Sequence, residues 1–126
     1  MPDAGDYGHY TRWYTNISGD LSVGASTDDT TLVVAKTNWT IFLQKAHVQI
    51  TGASAGKTWE LTDSAGLMLT GPFPTDTDGS HYDMDFGPKG IALGEGNELK
   101  LDVSAAGAKG WVSWEGYRRL TAVAAP

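Results

Sequence analysis

The chain has 126 residues, 9 basic and 15 acidic side chains, a formal charge of −6 and no cysteine. That length supports one core, because such a chain buries roughly two-thirds of its unfolded surface. The acidic balance argues against nucleic acid, whose phosphates call for clustered Lys and Arg, whereas the tightest basic cluster here is Arg118-Arg119. Without Cys there are no disulfides or thiolate ligands, which suits synthesis in a reducing cytosol.

The first stretch, MPDAGDYGHYTRW, has neither a basic n-region nor an apolar h-region and is not read as a signal peptide. No apolar run approaches the roughly 20 residues of a membrane span, so no membrane partner is expected. Residues 1–11 are polar, Gly-containing and acidic, the composition of an extended N-terminal arm. Ser18-Gly19-Asp20 reads as a turn, and Leu32-Val33-Val34 is a short β-branched run. Trp39 to Thr51 is the longest apolar-alternating stretch. Its phase changes across Gln44-Lys45-Ala46, from Trp39, Ile41 and Leu43 to Val48 and Ile50, which predicts a β-bulge or a bend between packed sheets.

Lys57 to Asp63 alternates again, with Trp59 and Leu61 on one side and Thr58, Glu60 and Thr62 on the other. Turn signals follow at Asp63-Ser64-Ala65-Gly66 and Gly71-Pro72. Tyr82, Met84 and Phe86 alternate with His81, Asp83 and Asp85. Leu99, Leu101 and Val103 alternate with Lys100, Asp102 and Ser104. The helix-tolerant pieces, Ser104 to Lys109 and the Ala-rich tail, are broken by Gly107 and Pro126. The pattern predicts an all-β fold: an antiparallel, jelly-roll-like β-sandwich over residues 12–121, with the arm before it and a tail at 122–126.

The acidic stretch FPTDTDGSHYDMDFG holds Asp76, Asp78, Asp83 and Asp85. Counted as an EF-hand loop from Asp76, it puts His81 where Gly is needed and Gly87 where Glu is needed, so the match fails. Turn chemistry accounts for Asp76 to Gly79, with Asp side chains capping local backbone. A half-buried strand accounts for Asp83 and Asp85 pointing into solvent. No metal ligand or cofactor is called for, and metal is expected to play no part in folding. No Gly-x-Ser-x-Gly elbow is present, and His9, His47 and His81 lie in unrelated contexts, with His47 read as a solvent-facing strand residue. Gly94-Glu95-Gly96-Asn97 is a tight turn rather than a phosphate loop. A carboxylate pair meeting only in space stays open, but no residue is singled out as catalytic.

Aromatics are the remaining signal: 5 Trp and 5 Tyr, concentrated at Trp13-Tyr14 and in WVSWEGY from Trp111 to Tyr117. Trp111 and Trp114 differ in parity, so one of them is expected on an exposed or interface surface. Exposed aromatics either stack on sugar rings or anchor protein interfaces. Tyr7, His9, Tyr10, Trp13, Tyr14, Trp111, Trp114 and Tyr117 are therefore the candidate interface residues.

The stretch GPKGIALGEGNELKLDVSAAGAKGWVSWEGYRR, with KTWELTDSAGLMLTG upstream, resembles small β-sandwich domains of tailed-bacteriophage virion proteins. The likeness lies in strand, Gly-rich turn, alternating strand, Ala/Gly loop and closing strand, over about residues 38–120. It implies a jelly roll or related sandwich, often trimeric, made in the host cytoplasm and placed on the outer capsid. There it would act as a non-enzymatic decoration or cement protein that binds the major capsid protein. A carbohydrate- or receptor-binding module of a tail or fibre is the alternative.

The arm, Met1 to Thr11, has too little apolar surface to repay the backbone entropy of ordering, about 1–2 kcal/mol per residue. It is expected to lie along a neighbouring subunit or the capsid, anchored by Tyr7, His9 and Tyr10, and to be mobile in the free protein. Deletion of residues 1–10 is expected to leave the melting temperature nearly unchanged while weakening attachment to particles. Wild-type occupancy of the truncated protein on capsids would rule the arm out as the attachment device.

Overall fold

Each run of period-two alternation folds as a strand with one face on the core, and two sheets are needed to bury those faces against each other. The computed structural model describes residues 14–25, 29–64, 66 and 68–120. Within them lie strands β1 (Tyr14–Val23), β2 (Thr30–Val33), β3 (Trp39–Gly52), β4 (Thr58–Asp63) and β5 (Met68–Pro74). After these come β6 (His81–Asp85), β7 (Ile91–Ala92), β8 (Leu99–Val103) and β9 (Lys109–Leu120). Among the described residues there is no helix.

One sheet has the order β1-β9-β3-β6, with β7 also on β3, and the other has the order β2-β8-β4-β5. All pairings are antiparallel. Successive strands of the first half meet those of the second in reverse order: β4 with β5, β3 with β6 and β7, β2 with β8, β1 with β9. This is one long antiparallel ribbon, rolled until β3 meets β9 and β4 meets β8. The expected jelly-roll-like sandwich is the fold.

The two inner faces supply the core. Leu43, Val48, Ile50 and Val112 from the first sheet and Trp59, Leu61, Leu99 and Leu101 from the second are all 0% exposed. Each such side chain contributes about 1.5–3 kcal/mol by leaving water. The phase change in β3 is a bulge: pairing with β9 slips between Leu43 and Lys45. Ile41 and Leu43 before it, and Ala46, Val48 and Ile50 after it, consequently all point inward. Gln44 at the bulge is held on both sides, its carbonyl accepting from Phe86 N at 2.8 Å and its Nε2 donating to Pro88 O at 2.6 Å.

Three turn or face expectations change. Ser18-Gly19-Asp20 is no turn, because β1 runs straight through it. A Cβ on Gly19 would lie 2.5 Å from Cζ2 and 2.9 Å from Cε2 of Trp114, so this glycine makes room for an indole. Gly71-Pro72, likewise expected as a turn, lies inside β5, where the β4–β5 register slips. Gly71 has φ 118°, and an added Cβ would sit 2.8 Å from Cβ of Glu60, so the strand crosses its neighbour where only glycine fits. Thr62, assigned to the water side of its strand, is 5% exposed. The alternation of β4 ends before its last residues, since Thr62 and Asp63 are both buried. Asp63 carries the Gly94–Asn97 turn, accepting from Gly94 N at 3.2 Å and Asn97 Nδ2 at 3.1 Å.

The expected arm, with Tyr7, His9 and Tyr10, lies outside the described residues, as do Trp13 and the tail at 122–126. Gly19→Ala is expected to force Trp114 off its seat and to cost about 1–3 kcal/mol in urea unfolding. Ser18→Ala, next to it on the other face, is expected to stay within about 0.5 kcal/mol of wild type. Equal unfolding midpoints for Gly19→Ala and wild type would refute the packing role of this glycine.

Candidate functional site: the outer face of the five-stranded sheet

In an antiparallel sheet, residues directly opposite one another share a face, so the register of the larger sheet assembles its solvent side row by row. From one end, the rows across β1, β9, β3 and β6 read as follows. Tyr14 stands beside Arg119. Asn16, Tyr117 and Phe42 come next. Ser18, Glu115, Lys45 and Asp85 follow, then Asp20, Ser113, His47 and Asp83. Ser22, Trp111, Gln49 and His81 form the last row.

The aromatic candidates separate along this face. Trp111 is 48% exposed and Tyr14 is 46% exposed. Trp114, of opposite parity, turns inward over Gly19 and packs on the core. Trp111 and Tyr117 are both outward but six residues apart on β9, roughly 20 Å along a strand. WVSWEGY therefore makes two patches rather than one. At one end Tyr117 stacks on Phe42 (4.8 Å, 11°), Tyr14 tilts against Tyr117 (6.0 Å), and the Arg119 guanidinium lies 4.7 Å from the Phe42 ring centre. Tyr117 Oη also donates to Lys89 O at 2.8 Å. Phe42 and Arg119 were not anticipated. The signal for Phe42 was its even position before the bulge, opposite in parity to Ile41 and Leu43. At the other end Trp111 stands between Ser22 and Gln49, with His81 one strand beyond Gln49.

Between the patches lies an open groove of about 450 Å³, lined in part by Lys45, His47, Asp83, Asp85, Ser113 and Glu115. Lys45 Nζ is 3.9 Å from Glu115 Oε1 with both side chains exposed, so this pair contributes about 1 kcal/mol at most. His47 Nδ1 is hydrogen-bonded to Asp83 Oδ1. His81 Nδ1 lies 3.9 Å from Asp83 Oδ2, and the two imidazole centres are 5.8 Å apart. His47 faces solvent as expected but is not isolated, because the β3–β6 register sets it directly opposite Asp83.

The four carboxylates of the acidic stretch have separate roles. Asp76 Oδ1 accepts from Gly56 N at 2.8 Å and Asp78 Oδ1 from Ala53 N at 2.5 Å. They cap backbone of the loop between β3 and β4 rather than of their own turn, as had been expected. Asp85 caps Gly87 N at 2.9 Å. Asp83 alone faces the histidines.

The other sheet shows a different surface. Glu60 is opposite Asp102, and Asp29, which accepts from Val103 N at 2.8 Å, adds a third carboxylate. The hydrogen bond to Asp29 raises the Asp102 carboxyl above its ordinary value, with desolvation, the Asp29 charge and Glu60 adding to the rise and Lys100 opposing it.

Neither the protein-family models nor the curated proteins compared with this chain match it.

A carboxyl whose folded value is raised adds stability that is complete below its unfolded value, 3.8, and is lost as pH climbs through the folded value. At neutral pH Asp102 therefore contributes repulsion. Asp102→Asn is expected to melt higher than wild type at pH 7, with the difference closing as pH falls toward 3.8. A constant difference across that range, or a lower melting temperature at pH 7, would contradict this assignment.

Proposed function

We propose that this chain is a non-enzymatic virion protein of a tailed bacteriophage that decorates the outer capsid as a trimer and stabilises it by binding the major capsid protein. The observation that carries this reading is the outer face of the five-stranded sheet. A solvent face of an antiparallel sheet ordinarily reads polar. This one presents Trp111 and Tyr14 nearly half exposed, with Phe42, Tyr117 and Arg119 beside Tyr14. Aromatic residues and Arg are the side chains enriched at protein interfaces, where they act as anchors. The sequence likeness to small virion sandwiches supplies the capsid as the partner, and closed threefold assembly follows the same likeness.

A second reading, a carbohydrate-binding module of a tail or fibre, is favoured by one feature. Trp111 offers a ring between hydrogen-bonding neighbours, Ser22 and Gln49, as sugar recognition requires.

The test is to add purified protein to particles that lack it and to measure occupancy by cryo-electron microscopy. Trp111→Ala and Tyr14→Ala are expected to lower occupancy sharply while unfolding within about 0.5 kcal/mol of wild type, as exposed positions do. Bound copies are expected to follow the capsid lattice, and light scattering is expected to give three chains per assembly. Undiminished occupancy of both variants would overturn the docking face. Particles bare on the capsid but labelled on the tail, or retention of Trp111-dependent binding on a glycan array, would favour the second reading.

A further inference from the structure

Among the described residues, one group of His, Asp and Glu side chains has the geometry to hold a metal ion: His47, His81 and Asp83. We propose that these three side chains form a surface site for a borderline divalent transition ion of the Zn²⁺ class.

The register builds the site. His47 and Asp83 are directly opposed on β3 and β6, and His81 precedes Asp83 by two residues on the same strand, hence on the same face. One donor atom from each residue lies within 4.8 Å of the other two. Donor atoms around a tetrahedral zinc with bonds of about 2.0–2.1 Å stand about 3.4 Å apart. Small rotations of three side chains therefore close the set, while the strands that carry them stay fixed.

The ligand chemistry selects the ion. Two imidazoles and one carboxylate, with a fourth position for water, form an open three-ligand zinc set. Ca²⁺ and Mg²⁺ take oxygen ligands instead and gain little from imidazole. An ion held by His47 Nδ1 would replace the hydrogen bond between that atom and Asp83 Oδ1, with the ring proton carried on Nε2. Imidazole ligates only when unprotonated, so uptake releases protons and weakens in acid. Nearby charges favour a cation, because Asp85 and Glu115 stand in the row next to His47 and Asp83, against Lys45 of that same row.

The plainer account is a cross-strand His–Asp pair. That account explains His47 and Asp83 but not His81, whose Nδ1 approaches the second oxygen of the same carboxylate at 3.9 Å. Two imidazoles converging on one carboxylate is what a ligand set requires.

The experiment is calorimetric titration of chelator-treated full-length protein with ZnCl₂, repeated with CoCl₂ to read the visible absorption of a tetrahedral centre. One ion per chain at micromolar affinity is expected, with no competition from CaCl₂. His81→Ala and Asp83→Asn, both at exposed positions, are expected to weaken uptake by about tenfold or more with unchanged circular dichroism. His47→Ala is expected to do the same, and His9→Ala to have no effect. Binding absent below millimolar Zn²⁺, binding untouched by His81→Ala and Asp83→Asn, or binding lost on His9→Ala would each overturn the site.

Discussion

The bulge at Gln44 is the constraint on which the rest of the molecule depends. β3 is the central strand of the larger sheet, paired along its length with β9 on one side and with β6 and β7 on the other. A strand with strict alternation could not bury both Ile41-Leu43 parity and Val48-Ile50 parity, because the side-chain period is two. One extra residue on β3 resolves the conflict. The same residue decides the outer face, since Phe42 before the bulge and Lys45 and His47 after it are all turned to solvent. Without the bulge, strict alternation from Phe42 onward would turn Lys45 and His47 toward the core and scatter the His–Asp group.

Phase and composition made much of the sandwich legible before any geometry was known. The β3 phase flip, the alternation of Tyr82, Met84 and Phe86, and the opposite parity of Trp111 and Trp114 all follow from period two and reappear as burial. The failures share one cause. Gly19 and Gly71 read as turns because glycine is the usual turn signal, yet here each yields space to a partner distant in sequence, Trp114 and Glu60. Nothing local to Gly19 announces an indole ninety-five positions further on. Thr62 was misplaced for a similar reason, since its cover comes from the packing around the end of β4.

The outer face was legible only in pieces for the same physical reason. WVSWEGY advertises aromatics, but a strand spreads six residues over a distance comparable to the sheet itself. Its two outward rings therefore belong to different neighbourhoods. Tyr117 acquires Phe42 and Tyr14 from two other strands, and Trp111 acquires Gln49 and Ser22. The histidines show the converse. His47 and His81 look unrelated in the chain, because β4 and β5 lie between the strands that carry them. Register alone joins them, so any site on this face is a property of pairing rather than of a motif.

Adjacency on the face also ties the two proposals together. Gln49 is flanked by Trp111 on β9 and by His81 on β6, in one row. Neighbouring strands stand about 4.8 Å apart, so Trp111 and His81 are separated by roughly 10 Å across the sheet. A partner surface that covers Trp111 to the extent of an ordinary interface also covers His81 and the groove beside it. Metal uptake and docking then act on the same few side chains. Thermodynamic linkage requires that whatever the ion does to docking, the docked partner does equally to the ion's affinity. An ion that presented its open coordination position to a partner carboxylate or imidazole would strengthen attachment. One that kept its water would instead leave a charged, hydrated group in the interface and weaken it. Under the two proposals the sign of that coupling is set by the partner's surface, and its route is the row that places the tryptophan and the histidine on either side of Gln49.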